Sequence, residues 1–185
     1  NEMTEDALQV DLLNAAGVIR FGGTATSMDT VTGNDGVESL LTYEDLMRLS
    51  IDLDDNRCPK NTKMITGSRM VDTKTIDGAR YMYIGSELIP MFKRMTDLFG
   101  EKAFISVEQY ASAGNIARGE IGIVDQFRLI VVPEMMHWAA GGATVVTDTP
   151  GAPGSANFLY RTELDAAGVE KYNVYPALVI GSESF

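Results

Sequence analysis

Apolar residues fall at helical spacing in four stretches. In TEDALQVDLLNAA, residues 4–16, Ala7, Leu8, Leu12, Ala15 and Ala16 recur at intervals close to 3.6, with Thr4 placed as an N-cap. In TYEDLMRLSIDLDDNR, residues 42–57, Thr42 caps a helix whose first turn holds Glu44 and Asp45; Leu46, Leu49 and Leu53 form the stripe, and Pro59 stops propagation. SELIPMFKRMTDLFG, residues 86–100, places Leu88, Met91, Met95 and Leu98 on one face, tolerates Pro90 in its first turn and ends at Gly100. Phe104, Val107 and Tyr110 predict a further turn or two of helix.

β-forming runs alternate with these helices. Strands are expected at Val18 to Phe21, at residues 63–67 and 68–71, at residues 79–85, and at residues 174–181. Phe127 to Val132 is nearly continuous in β-forming residues, which suits a strand buried on both faces and stopped by Pro133. Residues 111–122 read as a flexible Gly-rich connector. From Met136 to Arg161 the composition shifts to Gly, Ala, Thr and Pro and reads as an extended excursion, outside any packed element. No internal repeat emerges, and the alternation predicts mixed α and β with helices packed on a sheet.

At 185 residues the chain suits one domain, or one with a small appendage. Its 45% hydrophobic and 22% charged residues match an ordinary folded protein and argue against disorder. The longest apolar runs fall far short of the ~20 residues that span a bilayer. A net charge of −11, with no run of Lys and Arg, argues against phosphate-tracking nucleic-acid binding. The lone cysteine, Cys58, forms no intrachain disulfide and fits a reducing place of synthesis. Asn1-Glu2-Met3 shows no signal-peptide pattern, and the first residues already read as helix interior, so residues upstream of Asn1 are expected in the natural protein.

Each chemically suggestive group meets a plainer explanation. IDLDDN puts Asp52, Asp54 and Asn56 at the first, third and fifth positions of a calcium loop, but Arg57 stands where Gly belongs and Lys63 where Glu belongs; a solvated helix end is expected instead. His137, beside Trp138 and after Met135 and Met136, has no second ligand at metal-binding spacing and reads as packing. FGGTATS at 21–27 and GNIARGEIG at 114–122 lack both the P-loop ending and the dinucleotide fingerprint, and read as turns that need φ > 0. Ser68 follows Gly67 but has Met70 where a nucleophile elbow needs Gly, so a hydrolase would rest on Ser68 and His137 alone. Arg69, Asp72, Lys74, Asp77 and Arg80 alternate in sign and suit a rim of salt bridges to a neighbouring subunit. No catalytic, cofactor-binding or metal-ligating residue is assigned, and no cofactor is expected.

Four longer phrases occur together: LTYEDLMRLSIDLDDNRCPK, MITGSRMVDTKTIDGARYMYIGSELIP, GEIGIVDQFRLIVVPEMMHW and the terminal YNVYPALVIGSESF. Together they closely resemble the major capsid proteins of short-tailed phages of the N-four-like family, from about Leu41 to Phe185. The resemblance implies an α+β fold, the tailed-phage and herpesvirus major capsid fold. That fold has a peripheral domain, built from a long spine helix and an elongated sheet, and an axial α/β domain. On this reading residues 1–40 are the end of the spine helix and a connector, 41–135 the axial domain, and 136–185 the excursion and a final strand; the family's N-terminal arm and extended loop have no counterpart here.

The resemblance further implies a structural protein and no enzyme. It would self-assemble as pentamers and hexamers into an icosahedral virion shell around double-stranded DNA, built in the bacterial host cytoplasm. Scaffold, portal or decoration proteins are the expected further partners, with no specific nucleic-acid binding and no membrane. A decoration or tail protein is the alternative. The excursion from Gly141 to Ser155 is then a place for contacts at a capsomer centre or for a surface projection.

Overall fold

Thr42 begins the best-defined helix of the chain, and the reason is local. Its Oγ1 accepts from the backbone N–H of Asp45 while the Asp45 carboxylate accepts from the Thr42 N–H at 3.0 Å, so two of the helix's orphan donors are satisfied reciprocally. The same carboxylate also accepts from the N–H of Gly23 at 3.1 Å, which ties a remote corner of chain to the helix start. Helix α2, Tyr43–Asp55, ends with Arg57 in the left-handed region and with the Cys58 N–H bonded to the carbonyl of Leu53 at 2.8 Å. Leu46, Ser50 and Leu53 form its buried face.

The computed structural model describes residues 2–34, 38–60, 79–107, 119–145 and 161–181. Besides α2 it contains α1 (Glu2–Asn14) and α3 (Ile89–Arg94). The strands among the described residues are β1 (Arg80–Ile84), β2 (Ile105–Ser106), β3 (Glu120–Val124), β4 (Phe127–Val131), β5 (Thr162–Leu164), β6 (Glu170–Tyr172) and β7 (Ala177–Ile180). Five of them make one sheet in the order β2-β3-β4-β1-β7, and β5 and β6 pair separately. β1 runs parallel to β4 and antiparallel to β7, so Met82 lies between Leu129 and Val179. α2 and α3 pack on this sheet, where Leu46, Leu53 and Phe92 meet Met82, Ile84, Phe104, Val124, Phe127 and Leu129 in one core. The expected mixed α and β architecture is therefore present, with helices on a sheet.

Several elements differ from expectation. α1 contains Thr4 in its interior instead of starting there. Val18 to Phe21 forms no strand; the chain instead brings Gly22 and Gly23 against the backbone of residues 38–41, where a Cβ on Gly22 would lie 2.8 Å from the Ser39 carbonyl oxygen. Gly23 also has φ +59, so the expectation of a turn needing positive φ holds there.

The helix expected over 86–100 is a 3-10 turn at Ser86–Leu88 followed by α3, and it stops at Met95. Asp97 ends it: its carboxylate accepts from the N–H groups of Phe99 at 2.8 Å and Glu101 at 2.9 Å, offering the backbone a turn in place of another helical round. Ile105–Ser106 is an edge strand where helix was expected, while Val107 is helical as expected; the expectation for Tyr110 lies outside the described residues.

β3 replaces the last part of the expected flexible connector. It joins β4 through the two-residue turn Asp125-Gln126, in which Asp125 has φ 52. The start of the expected excursion is likewise laced in place. Trp138 exchanges backbone bonds with Val174, Gly142 donates to Tyr172, Ala143 to Val31 and Val145 to Glu170. The hairpin of β5 and β6 was not anticipated either. The expected strands at 63–67 and 68–71 lie outside the described residues.

Candidate functional site

The residues with the most suggestive chemistry fall mainly on one stretch of sequence. Ser68, Arg69, Asp72, Lys74 and Asp77, and with Ser68 the hydrolase pairing to His137, lie outside the described residues. His137 is exposed and stacks on Tyr175 with ring centroids 5.0 Å apart and planes at 21°, which is the packing role expected of it. Cys58 is half-buried against the core, and its carbonyl accepts from Arg80 at 2.7 Å. Among the described residues no group of three or more His, Cys, Asp or Glu is placed to hold a metal ion.

The acidic end of α2 is an anchor for two arginines. Asp52 pairs with Arg20 and Asp54 with Arg80, while Asn56 donates its side-chain N–H to the Asp52 carbonyl at 2.8 Å. Both carboxyl groups are held below the usual aspartate value of 3.8, Asp52 by its hydrogen bond from Arg20 and Asp54 by its hydrogen bond from Arg80. The stretch is therefore more than a solvated helix end. It pins the segment around Arg20 and the first residue of β1 to the same turn.

Of the expected charged rim, Arg80 alone lies among the described residues, and it departs from the expectation. It is 1% exposed, pointing from β1 into the interior, and its partners Asp54 and the Cys58 carbonyl belong to its own chain. A second internal pair joins neighbouring strands: Glu120 on β3 and Arg128 on β4 are both buried, with Nε 3.3 Å from Oε1. Nothing in the sequence marks either arginine as internal, because burial of Arg follows from where the sheet faces and carries no composition signal.

Two turns share one design that the sequence displays as Asp-x-x-Gly. In residues 97–101 the Asp97 carboxylate takes the N–H groups of Phe99 and Glu101, the Asp97 N–H bonds to the Glu101 carbonyl, and Gly100 has φ +79. In residues 165–169 the Asp165 carboxylate takes the N–H groups of Ala167 and Val169, the Asp165 N–H bonds to the Val169 carbonyl, and Gly168 has φ +77. The Val169 N–H, and then the Lys171 ammonium at 2.9 Å, hold the Asp165 carboxyl below its usual range.

An open apolar cleft of about 700 Å³ lies between the end of α1, helix α2 and the segment leading into β7. Leu12, Val18, Leu41, Leu49, Met91 and Val179 are among its walls. Nearby, the Tyr172 and Tyr175 phenols are pushed up by burial.

No family model matches the chain. Over all 185 residues it is 53% identical to the major capsid protein of Pseudomonas phage KPP21. The chain spans 42% of the length of that relative. Among solved structures it is similar to the capsid of Ralstonia phage GP4, with a TM-score of 0.40 and 10% identity over 87% of this chain and 47% of the other; so slight a likeness carries no argument about the fold. The resemblance to phage major capsid proteins, read above from residue 41 onward, therefore extends through the first forty residues as well.

Proposed function

We propose that this chain is part of a bacteriophage major capsid protein, a structural subunit that self-assembles as pentamers and hexamers into the icosahedral shell around a double-stranded DNA genome. The observation that carries the reading is the 53% identity to a phage major capsid protein along the entire chain. The role is structural and not enzymatic, its place is the virion, and assembly takes place in the host cytoplasm. A shell subunit needs many moderate self-contacts repeated by symmetry and needs no cofactor. The surface charge is compatible with that role, because an acidic wall does not hold packaged DNA.

On this reading the fold is that of tailed-phage capsids. Residues 1–40 supply the end of the spine helix and its connector in the peripheral domain, 41–135 the axial domain, and 136–185 the excursion whose final strand β7 returns to β1. The peripheral sheet, the N-terminal arm and any scaffold, portal or decoration partner belong to the same proposal. No helix among the described residues is long and apolar enough to cross a membrane.

Electron microscopy and light scattering on the expressed protein test it. Closed shells or rings of five and six subunits are expected. A defined small oligomer that binds preformed particles and never closes would replace this reading with that of a decoration protein.

A further inference from the structure

The two Asp-x-x-Gly turns serve as controls for each other. Their hydrogen bonds and their glycine conformations match, yet the two residues at the tip are Ala166 and Ala167 in one and Leu98 and Phe99 in the other. The turn therefore forms without large apolar side chains at its tip. Leu98 is nevertheless 63% exposed and Phe99 89% exposed, the highest value among the exposed large apolar residues. Folding of this chain gains nothing from holding a phenylalanine in water, and the hydrogen-bonded turn presents it there.

We infer that the Leu98–Phe99 tip is a contact surface for a second copy of this chain. The inference rests on the shell reading above and names one of its contacts. Two such side chains cover on the order of 300 Å², against about 800 Å² per partner in a stable pairwise interface. The tip is thus too small to hold a lone dimer and suits a contact that symmetry repeats.

Charge identifies the surface it meets. Lys93, Arg94 and Lys102 are exposed at the base of the turn, in a chain whose net charge is −11. Within residues 93–102 the three cations Lys93, Arg94 and Lys102 outnumber the two carboxylates of Asp97 and Glu101. An apolar tip with a basic base is complementary to an acidic surface that also exposes an apolar residue. α1 has that chemistry: Glu5, Asp6 and Asp11 are exposed, Leu8 is 59% exposed, and its sequence contains no Lys or Arg. Tip on one copy and α1 on the next is a contact between unlike patches, the kind that closes into rings.

Sedimentation velocity of the full chain, unaltered and as Leu98→Ala/Phe99→Ala, tests the contact, because the variant merely gives this turn the tip of its counterpart. The expected result is an unchanged denaturation midpoint with self-association weakened at least tenfold and a contact that weakens with added salt. A second test needs no change at the tip: Lys93→Glu/Lys102→Glu and Glu5→Lys/Asp6→Lys each lose association alone and regain it when mixed. Association that survives unchanged in the tip variant, or mixing that restores nothing, overturns the contact and leaves the shell reading standing. An unaltered chain that stays monomeric at every concentration overturns both.

Discussion

Arg80, 1% exposed at the start of β1, donates Nη2 to Oδ1 of Asp54 at the end of α2 and to the Cys58 carbonyl. The two residues are 26 positions apart, and their bond closes the loop between helix and sheet. Asp54→Asn keeps the shape but removes the formal counter-charge from a buried guanidinium. Because Asp54 itself is half exposed and water screens the pair, the expected loss is about 1–2 kcal/mol. Arg80→Met, which removes the buried charge altogether, is expected to cost less than Asp54→Asn. Urea denaturation midpoints of the two variants decide this, and the reverse order would show that Arg80 acts mainly through its hydrogen bonds.

Gly122 and Gly17 should respond in opposite directions to the same change. A Cβ on Gly122 would lie 2.4 Å from the Ile105 carbonyl oxygen and 2.6 Å from the Phe104 ring, so Gly122→Ala must push β2 away from β3 and is expected to cost about 1–3 kcal/mol. Gly17 has nothing within 4 Å and no positive φ. Gly17→Ala should stabilise by about 0.4–1 kcal/mol through the unfolded chain. Paired denaturation curves check both signs.

Acid should weaken the fold in a defined window. Asp52, Asp54 and Asp165 are all held below 3.8 in the folded chain, so between the folded and ordinary values the unfolded chain binds more protons. Their stabilisation is complete above about pH 4 to 5 and is lost as pH falls through each folded value. Melting temperatures recorded from pH 6 down to pH 2 should drop mainly below pH 4. Arg20→Gln should flatten that drop, since it removes the first cause of the low Asp52 value; an unchanged profile would exclude this pair as a contributor.

Asp97→Ala removes the acceptor of two backbone N–H groups at once. With water able to replace part of what is lost, the expected cost is about 1 kcal/mol. Hydrogen exchange at Phe99 and Glu101 should accelerate while exchange in β4 stays slow. Equal acceleration throughout would mean that the turn is coupled to the whole fold.

Periodicity located α2, β1, β4 and β7 because each carries its own local signal: a capping Thr42 with a leucine stripe, or a run of β-forming residues bounded by Pro or Gly. It overran at α3, since Leu98 sits at helical spacing from Met95 although Asp97 turns the chain between them. β3 was hidden by Gly122, which a strand tolerates here because Phe104 fills the space where a side chain would stand. The Asp-x-x-Gly repetition at 97–100 and 165–168 was legible and would have located both turns, had the offset between Asp and Gly been read as turn chemistry. The internal arginines were not legible. Arg80 and Arg128 sit on opposite faces of the sheet, and whether each faces water is settled between segments far apart in the chain.

The order of strands has a consequence for how the polypeptide is made. β1 takes its parallel neighbour from residues 127–131 and its antiparallel neighbour from residues 177–180, nearly a hundred positions downstream. As the nascent chain lengthens, Met82 and its strand must wait for both partners, and the β7 side stays an open ladder of backbone donors and acceptors throughout. A translation product halted at residue 176 carries that adhesive edge permanently. It should be recovered in the pellet after centrifugation where the chain that continues through β7 remains in the supernatant, so interrupted synthesis is itself a source of misassembled material.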